Sequence, residues 1–330
     1  MTVNHAIQIC LIAALTCFFP SAMGGDPVPA ATVRPVTVCS FNVENFLDPE
    51  SDYQESKPPA KRETCLKALA EINADILALL EVGGPRAVEQ IRTGLAKLGV
   101  DYPFHTRVQG ADEIRQIVIF SKIKPKEIEH KTDAFYELRG VSVPIQRGFA
   151  NCLFEWPNGY QLRLLVAHFK SKRFHKLGQS DMRRYESRHL RYLVNDMILN
   201  NPDCNLLVMG DFNDSPNSSP LNTLFSRRRN PEGQLFDLRP LDQHGFSWTH
   251  FWAAEDSYAR IDYILTNQSV LPEIDFSGTK IVQTPAILAA SDHRPVMVTL
   301  HPLDKPVTDQ TLAPFQRNIR VPSTNTPVPE

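Results

Sequence analysis

Six apolar runs in this 330-residue chain begin or end on polar residues of only four types. Asn42 and Glu44 follow Val36 to Phe41, Glu81 follows Asp75 to Leu80, and His168 follows Leu162 to Ala167. Asp211 and Asn213 follow Asn205 to Met209, and Asp262 sits within Arg260 to Leu265. Asp292 and His293 stand just ahead of Val296 to Leu300. A single such transition is a turn or a helix cap, the ordinary work of Asn and Asp. Turns taken together would scatter in residue type. A set restricted to Asn, Asp, Glu and His is the inventory that holds a hard cation through oxygen and moves a proton near neutral pH.

Other chemistries lack their residues. There is no Gly-rich phosphate loop followed by Lys and Ser or Thr, no serine on a nucleophile elbow and no HExxH. Ser291 adjoins Asp292 and His293, but neighbours in sequence do not form a nucleophilic triad that way. No cysteines have CxxC spacing, which removes a thiolate zinc site of that type.

To bring the polar set together, the strands that carry it must end in one place. Val36 to Phe41 is β-branched and reads as a strand. Lys61 to Ala74 carries Cys65, Leu66, Leu69 and Ile72 at helical spacing. A buried strand follows over Asp75 to Leu80, then a helix marked by Val88, Ile91, Leu95 and Leu98 and closed by Gly99. Further strands are predicted over Ile117 to Phe120, Gly148 to Phe154, Leu162 to Ala167, Leu206 to Met209, Ile261 to Leu265 and Val296 to Leu300, with a helix over Asp181 to Leu199. Helices cover some strands while others pair directly. The expectation is one α/β domain over 34–301, with two packed mixed sheets flanked by helices.

The chain ends read differently. Residues 1–24 hold no Lys, Arg, Asp or Glu, and the apolar run Ile7 to Phe19 is too short to span a bilayer. With Ala22-Met23-Gly24 as a small-x-small cleavage site, this is a signal peptide, and the mature protein is expected to be secreted or periplasmic. A retained anchor is the alternative. Cys39, Cys65, Cys152 and Cys204 then allow three disulfide pairings, or serve as small buried hydrophobes. Residues 302–330 are rich in Pro and Thr, lack hydrophobic periodicity and read as a disordered tail. The net charge of −2 argues against a broadly basic polyanion binder and leaves only local basic clusters. No heptad or other assembly signal stands out, so a monomer without a stable protein partner is expected.

The segments FNVEN (41–45), LLEV (79–82), AHFKSK (167–172), GDFND (210–214), RIDYIL (260–265) and SDHRPV (291–296) resemble, in order, the motifs of the endonuclease/exonuclease/phosphatase superfamily. That superfamily includes pancreatic-type deoxyribonucleases, apurinic endonucleases, neutral sphingomyelinases and inositol-polyphosphate phosphatases. The resemblance implies a four-layer α/β sandwich with the site at one end of the sheets. It implies Glu81 as principal ligand of Mg²⁺, with Asn42 and Asp292 nearby and Mn²⁺ or Ca²⁺ as substitutes. It also implies that Asp262 orients His293 and favours its charged form, Asp211 positions or activates the attacking water, Asn213 binds a non-bridging oxygen, and His168 contacts the phosphate or assists the leaving group.

The substrate is a narrower question. His168 stands where apurinic endonucleases usually have tyrosine, and ARIDYIL stands where inositol phosphatases carry Cys-Asp-Arg. FNVENFLD and HFKSKR look like signatures of bacterial secreted nucleases, and GADEIRQIVIFSK (110–122) resembles the segment those proteins place before their next strand, a resemblance that makes Arg115 a candidate phosphate contact. Arg173-Phe174-His175-Lys176 departs from the glycines those nucleases often carry there. Lys170, Lys172, Arg173 and Lys176 cluster past His168, and Arg184, Arg188 and Arg191 share one helical face, either as a phosphate track or as a solvated face partnered by Asp181 and Glu186. Phe246, Trp248, Phe251 and Trp252 would stack on bases or meet a membrane surface. The expected function is therefore a secreted divalent-metal-dependent nuclease; a sphingomyelinase-like phospholipase or small phosphoester phosphatase is the alternative.

Overall fold

The computed structural model describes residues 33–225 and 233–316. Residues 1–24, expected to be a signal peptide, and the basic run Arg227 to Arg229 lie outside the described residues.

In chain order the elements are β1 (Val36–Phe46), α1 (Pro59–Ile72), β2 (Ile76–Val82), α2 (Pro85–Lys97), β3 (Phe104–Val108), β4 (Gln116–Ser121), β5 (Pro125–Ile128), β6 (Phe135–Leu138), β7 (Val141–Pro144), β8 (Phe149–Glu155) and β9 (Gln161–His168). There follow α3 (Gln179–Asn200), β10 (Leu206–Asp211), α4 (Ser219–Leu224), β11 (Phe236–Asp237), β12 (His250–Trp252), β13 (Ser257–Ala259), β14 (Asp262–Thr266), β15 (Ile274–Ile281), α5 (Pro285–Ala290), β16 (Val296–Leu300) and α6 (Asp309–Gln316). One six-stranded sheet has the order β15-β16-β1-β2-β4-β3, the other β11-β14-β10-β9-β8-β5. Each sheet contains one parallel pair, β1 with β2 and β9 with β10, joined through α1 and α3; the other pairs within the two sheets are antiparallel.

Alternation along the strands makes the layers. Val38, Ile76, Ala78, Ile119, Leu164, Val166, Leu207 and Met209 meet between the sheets. Their neighbours Cys39, Phe41, Leu77 and Leu79 pack outward on α1, α2 and α5, while Leu165, Val208 and Leu265 pack on α3 and α4. The result is the expected four-layer sandwich. The strands the sequence reading did not reach, such as β3, β5 and β15, carry exposed or half-buried residues and so give no continuous apolar run.

One expectation needs correction, and one pair of alternatives narrows. Part of the segment expected to be disordered from 302 onward forms α6, where Leu312 and Phe315 pack against the inter-sheet core and Phe315 meets Phe236 at 5.4 Å between ring centroids. Two apolar side chains three residues apart make an interfacial stripe that a Pro-rich composition conceals; the tail beyond Gln316 lies outside the described residues. The four cysteines are unpaired, with Cys39, Cys65 and Cys152 buried, and burial holds those three thiols far above their ordinary range. Of the two readings, small buried hydrophobes describe those three. Among the described residues no helix is long and apolar enough to cross a membrane.

At the sheet end opposite the polar set, Glu273 is buried and accepts a hydrogen bond from the Tyr160 hydroxyl. Burial pushes its carboxyl from 4.5 up to about 8, against the Tyr160 bond. An acid that titrates higher when folded binds extra protons in the native state, so stability falls as pH rises through that window. Glu273→Gln is expected to melt above the parent protein at pH 8.5 and to lose that advantage at pH 4.5. Thermal melts at the two pH values check this, with about 2–4 °C for each kcal/mol relieved.

Candidate active site

Strand polarity explains why the polar set meets. β1 and β2 run parallel, as do β9 and β10, so Asn42, Glu81, His168 and Asp211 lie towards C-terminal strand ends. β16 and β14 run antiparallel to β1 and β10, so it is their N-terminal ends, with Asp262 and the Asp292-His293 pair, that reach the same edge. In register, Asp211 stands between His168 on one neighbouring strand and Asp262 on the other. Gly210 permits this approach: its φ is +135°, and a Cβ there would stand 1.9 Å from the Ala167 carbonyl oxygen.

The backbone leaves regular geometry at the same edge. Register shifts interrupt β1 against β2 between Asn42 and Phe46, and β2 against β4 between Leu79 and Val82. Glu44, Asn45, Glu81 and Asn213 all take positive φ, at 51°, 55°, 62° and 52°. Each such non-glycine residue costs about 1–3 kcal/mol, and strain of this kind gathers where side chains are aimed for function.

The side chains form one network across both sheets. Asn42 donates through Nδ2 to Asp211 Oδ2 at 3.1 Å and to Glu81 Oε1 at 3.3 Å, while its Oδ1 accepts from the Glu44 backbone at 3.0 Å. Glu81 Oε2 accepts from the Asn45 backbone at 3.1 Å and lies 4.0 Å from Arg115 Nε. His168 Nε2 is 3.7 Å from both Glu81 Oε1 and Asp211 Oδ2. Asn213 donates to Asp211 from its backbone (2.8 Å) and its Nδ2 (3.1 Å), and from Nδ2 to the Phe169 carbonyl (3.0 Å). His293 pairs through Nδ1 with Asp262 Oδ2 at 2.9 Å and turns Nε2 to within 3.8 Å of Asp211 Oδ2.

Electrostatics hold the two histidines in opposite states. Burial, reinforced by Arg147, His293, Arg115 and Lys170, drives His168 well below its ordinary pKa, so this imidazole is neutral. Burial presses His293 the same way, but Asp262, Asp211 and Asp292 outweigh it and hold His293 well above its ordinary value as an imidazolium. Burial and then Asp262 push Asp211 up to about 7, against the pull of His293, Asn213 and Asn42. A carboxylate poised near neutrality between an imidazole and an imidazolium can take a proton from water while the imidazolium donates to an oxyanion.

Asn42, Glu81, His168, Asp211, Asn213, Asp262 and His293 thus come together as one set, and Arg115 lies at its edge. Asp292 groups with His250 and His293, whose ligand atoms lie within 4.8 Å of one another; Asp211, Asp262 and His293 form a second such group. Lys170 is half-buried, its amine on Ser171 Oγ at 3.1 Å. Arg184 is exposed on α3 and bonds Asp181 Oδ1 at 3.1 Å, outside the network. Its expected stripe is broken: Arg191 is buried and donates to the Leu224 carbonyl at 3.3 Å, because α4 covers the distal part of that face. Nor is Glu186 a solvated partner, since it is buried with Oε2 accepting from the Lys170 backbone at 2.6 Å.

Three contributors escaped the sequence reading. His250 packs against His293 with 4.7 Å between centroids and the rings tilted by 55°, and it lies 3.6 Å from Asp292 Oδ2. Arg147, buried beside His168, is paired with Asp112 at 3.1 Å, and Glu186 anchors the Lys170 loop. A cleft of about 440 Å³ opens next to Asp292, lined by Trp248, Phe251, Tyr258 and Leu288 among others.

A family model described as the Endonuclease/Exonuclease/phosphatase family matches residues 39–293. No match was found among curated proteins. Among solved structures, the human Nocturnin catalytic domain with bound sulfate is similar at a TM-score of 0.57 and 16% identity, covering 80% of this chain and 93% of that one. An endonuclease/exonuclease/phosphatase from Bacteroides vulgatus gives 0.56 and 17%, covering 81% and 98%. Truncated Caenorhabditis elegans TDP2 gives 0.51 and 17%, covering 81% and 97%. At these identities the likeness is one of fold.

Proposed function

The chain belongs to the Endonuclease/Exonuclease/phosphatase family, and from that premise we propose that it is a divalent-metal-dependent phosphodiesterase that hydrolyses nucleic acid. The observation that carries this reading is Asp211, raised towards neutrality and flanked at 3.7 and 3.8 Å by a neutral and a charged histidine. Asp211 would accept the proton of an attacking water as the new P–O bond forms in line with the breaking one, and the leaving oxygen would depart with the bonding pair and take up a proton from solvent. His293, oriented by Asp262, and Asn213 would donate hydrogen bonds to the phosphoryl oxygens, with His168 beside them.

The residues fit a hard cation. Glu81 supplies a carboxylate held in place by Asn42, and Asp292 is exposed at the margin, oxygen donors suited to Mg²⁺. Glu81 would hold the ion, with Asn42 and Asp292 nearby. As arranged, Asn42 turns its amide nitrogen to the Glu81 and Asp211 carboxylates, so ligation by its oxygen requires the amide to turn. When bound, the ion neutralises charge on the phosphoryl oxygens and the leaving group. The uncharged leader supports export of the mature chain, which we read as a monomer acting outside the cytoplasm.

The aromatic cleft beside Asp292 favours a second reading, since Trp252 and Tyr258 are both exposed and would serve a lipid interface as well as a base. Incubating mature protein with supercoiled plasmid, RNA and sphingomyelin vesicles, each with Mg²⁺ or EDTA, separates the two. Mg²⁺-dependent nicking of the plasmid or cleavage of the RNA is expected. Intact nucleic acids beside cleaved sphingomyelin would replace the nuclease reading with the phospholipase one.

A further inference from the structure

Beyond Glu81 the site edge carries an arrangement that the hydrolytic step does not use. Arg115 is fixed from three sides: Nε donates to Asn45 Oδ1 at 2.8 Å, Nη2 donates to the Tyr53 hydroxyl at 2.6 Å, and the guanidinium lies 4.7 Å from the centre of the Tyr53 ring. Glu55, two residues along the same loop, places Oε2 at 3.6 Å from Arg115 Nη2. Both Glu55 oxygens also accept from Arg173 Nη1, at 2.7 and 2.8 Å, across a sequence separation of 118 residues. One carboxylate therefore bridges two guanidiniums that come from opposite sheets, and one of the two touches Glu81.

We propose that Arg115 and Arg173 form a subsite for a phosphate of a polynucleotide flanking the scissile one, and that Glu55 occupies this subsite in the free protein as a displaceable stand-in. A planar carboxylate and the two non-bridging oxygens of a phosphodiester present the same paired acceptors and the same single negative charge to a guanidinium. The occupant is weakly held. Arg173 and Glu55 have side chains 68% and 41% exposed, and pairs of that kind contribute about 0–1 kcal/mol. Arg115, at 14%, is the fixed half of the subsite and keeps its position through Asn45 and Tyr53 when Glu55 leaves. The inference rests on the phosphodiesterase reading for its substrate class.

The test measures binding apart from turnover. A labelled 12-nucleotide single strand is titrated in EDTA against the parent protein, Glu55→Gln, Arg173→Gln and the double variant, at several salt concentrations. Glu55→Gln is expected to tighten binding about threefold to tenfold, and Arg173→Gln to weaken it and lower the salt slope by about one. The double variant is expected to lose the gain. In hydrolysis with Mg²⁺, Glu55→Gln should lower KM for the 12-mer and leave that for bis(4-nitrophenyl) phosphate, a single diester, unchanged. Unchanged or weaker binding by Glu55→Gln, or a 12-mer that does not bind at all, overturns the subsite. If the variants shift binding as expected but no nucleic acid is cleaved, the nuclease reading falls and the subsite stands.

Discussion

Glu81→Gln is expected to lower Mg²⁺-dependent phosphodiester hydrolysis by about a thousandfold, equivalent to about 4 kcal/mol of transition-state stabilisation. The substitution keeps the volume and leaves one oxygen, which can accept from Asn42 or from the Asn45 backbone but not from both, so one hydrogen bond of about 1 kcal/mol is lost while the fold and the positive-φ backbone at this residue are retained. What also disappears is the negative charge. Glu81 is the carboxylate facing both Arg115 and the neutral His168, and no other acid in the network bonds the strained tip of β1. The loss should therefore fall on kcat and on Mg²⁺ affinity, with the melting temperature lowered by only about 2–4 °C for the one lost hydrogen bond. Steady-state kinetics over a wide Mg²⁺ range, with calorimetric titration of the ion, check the expectation. Retention of more than a tenth of the activity at saturating Mg²⁺ would move the principal ligand elsewhere, with the Asp211, Asp262 and His293 group first in line.

Much of this site was legible because strand ends carry it. Apolar runs that stop at Asn42, Glu81, His168 and Asp211 declare both the sheet and its functional edge, and parallel pairing does the rest. What was not legible depends on contacts between distant segments. His250 becomes part of the site through a bridge to His293 and a bond from the Phe251 backbone to the Asp292 carbonyl, and neither has a local signature. Helical spacing correctly put Arg184, Arg188 and Arg191 on one face. It carries no information on where α4 lies across that face, and this is what buries Arg191. The charged form of His293 was implied by its pairing with Asp262, but the neutral state of His168 was out of reach. His168 and His293 are both histidines at strand ends, and they diverge because one is surrounded by Arg147, Arg115 and Lys170 and the other by three aspartates.

That divergence is open to a direct test through Asp262→Asn. Asparagine keeps the hydrogen bond to His293 Nδ1 in shape but removes the charge that, with Asp211 and Asp292, holds the imidazolium against burial. His293 should then titrate at lower pH, and the activity carried by its proton should fall by about 10²–10⁴, the usual range for a positioned acid or base. The sign of the stability effect follows. A histidine whose folded pKa is raised contributes stability fully present below its unfolded value of about 6.5 and lost as pH rises through the folded value. Asp262→Asn should therefore destabilise the protein most at pH 5 to 6 and least at high pH. Ring-proton NMR of the metal-free protein in EDTA reads the His293 titration directly, and melts across the same pH range read the linkage. Because Asp262 acts through His293, the double variant with His293→Gln is expected to be no slower than His293→Gln alone. A histidine that stays protonated in Asp262→Asn would shift the orienting role to Asp211. The same carboxylate would then have to bind the imidazolium and take the proton of water, and the division of labour around Asp211 would not stand.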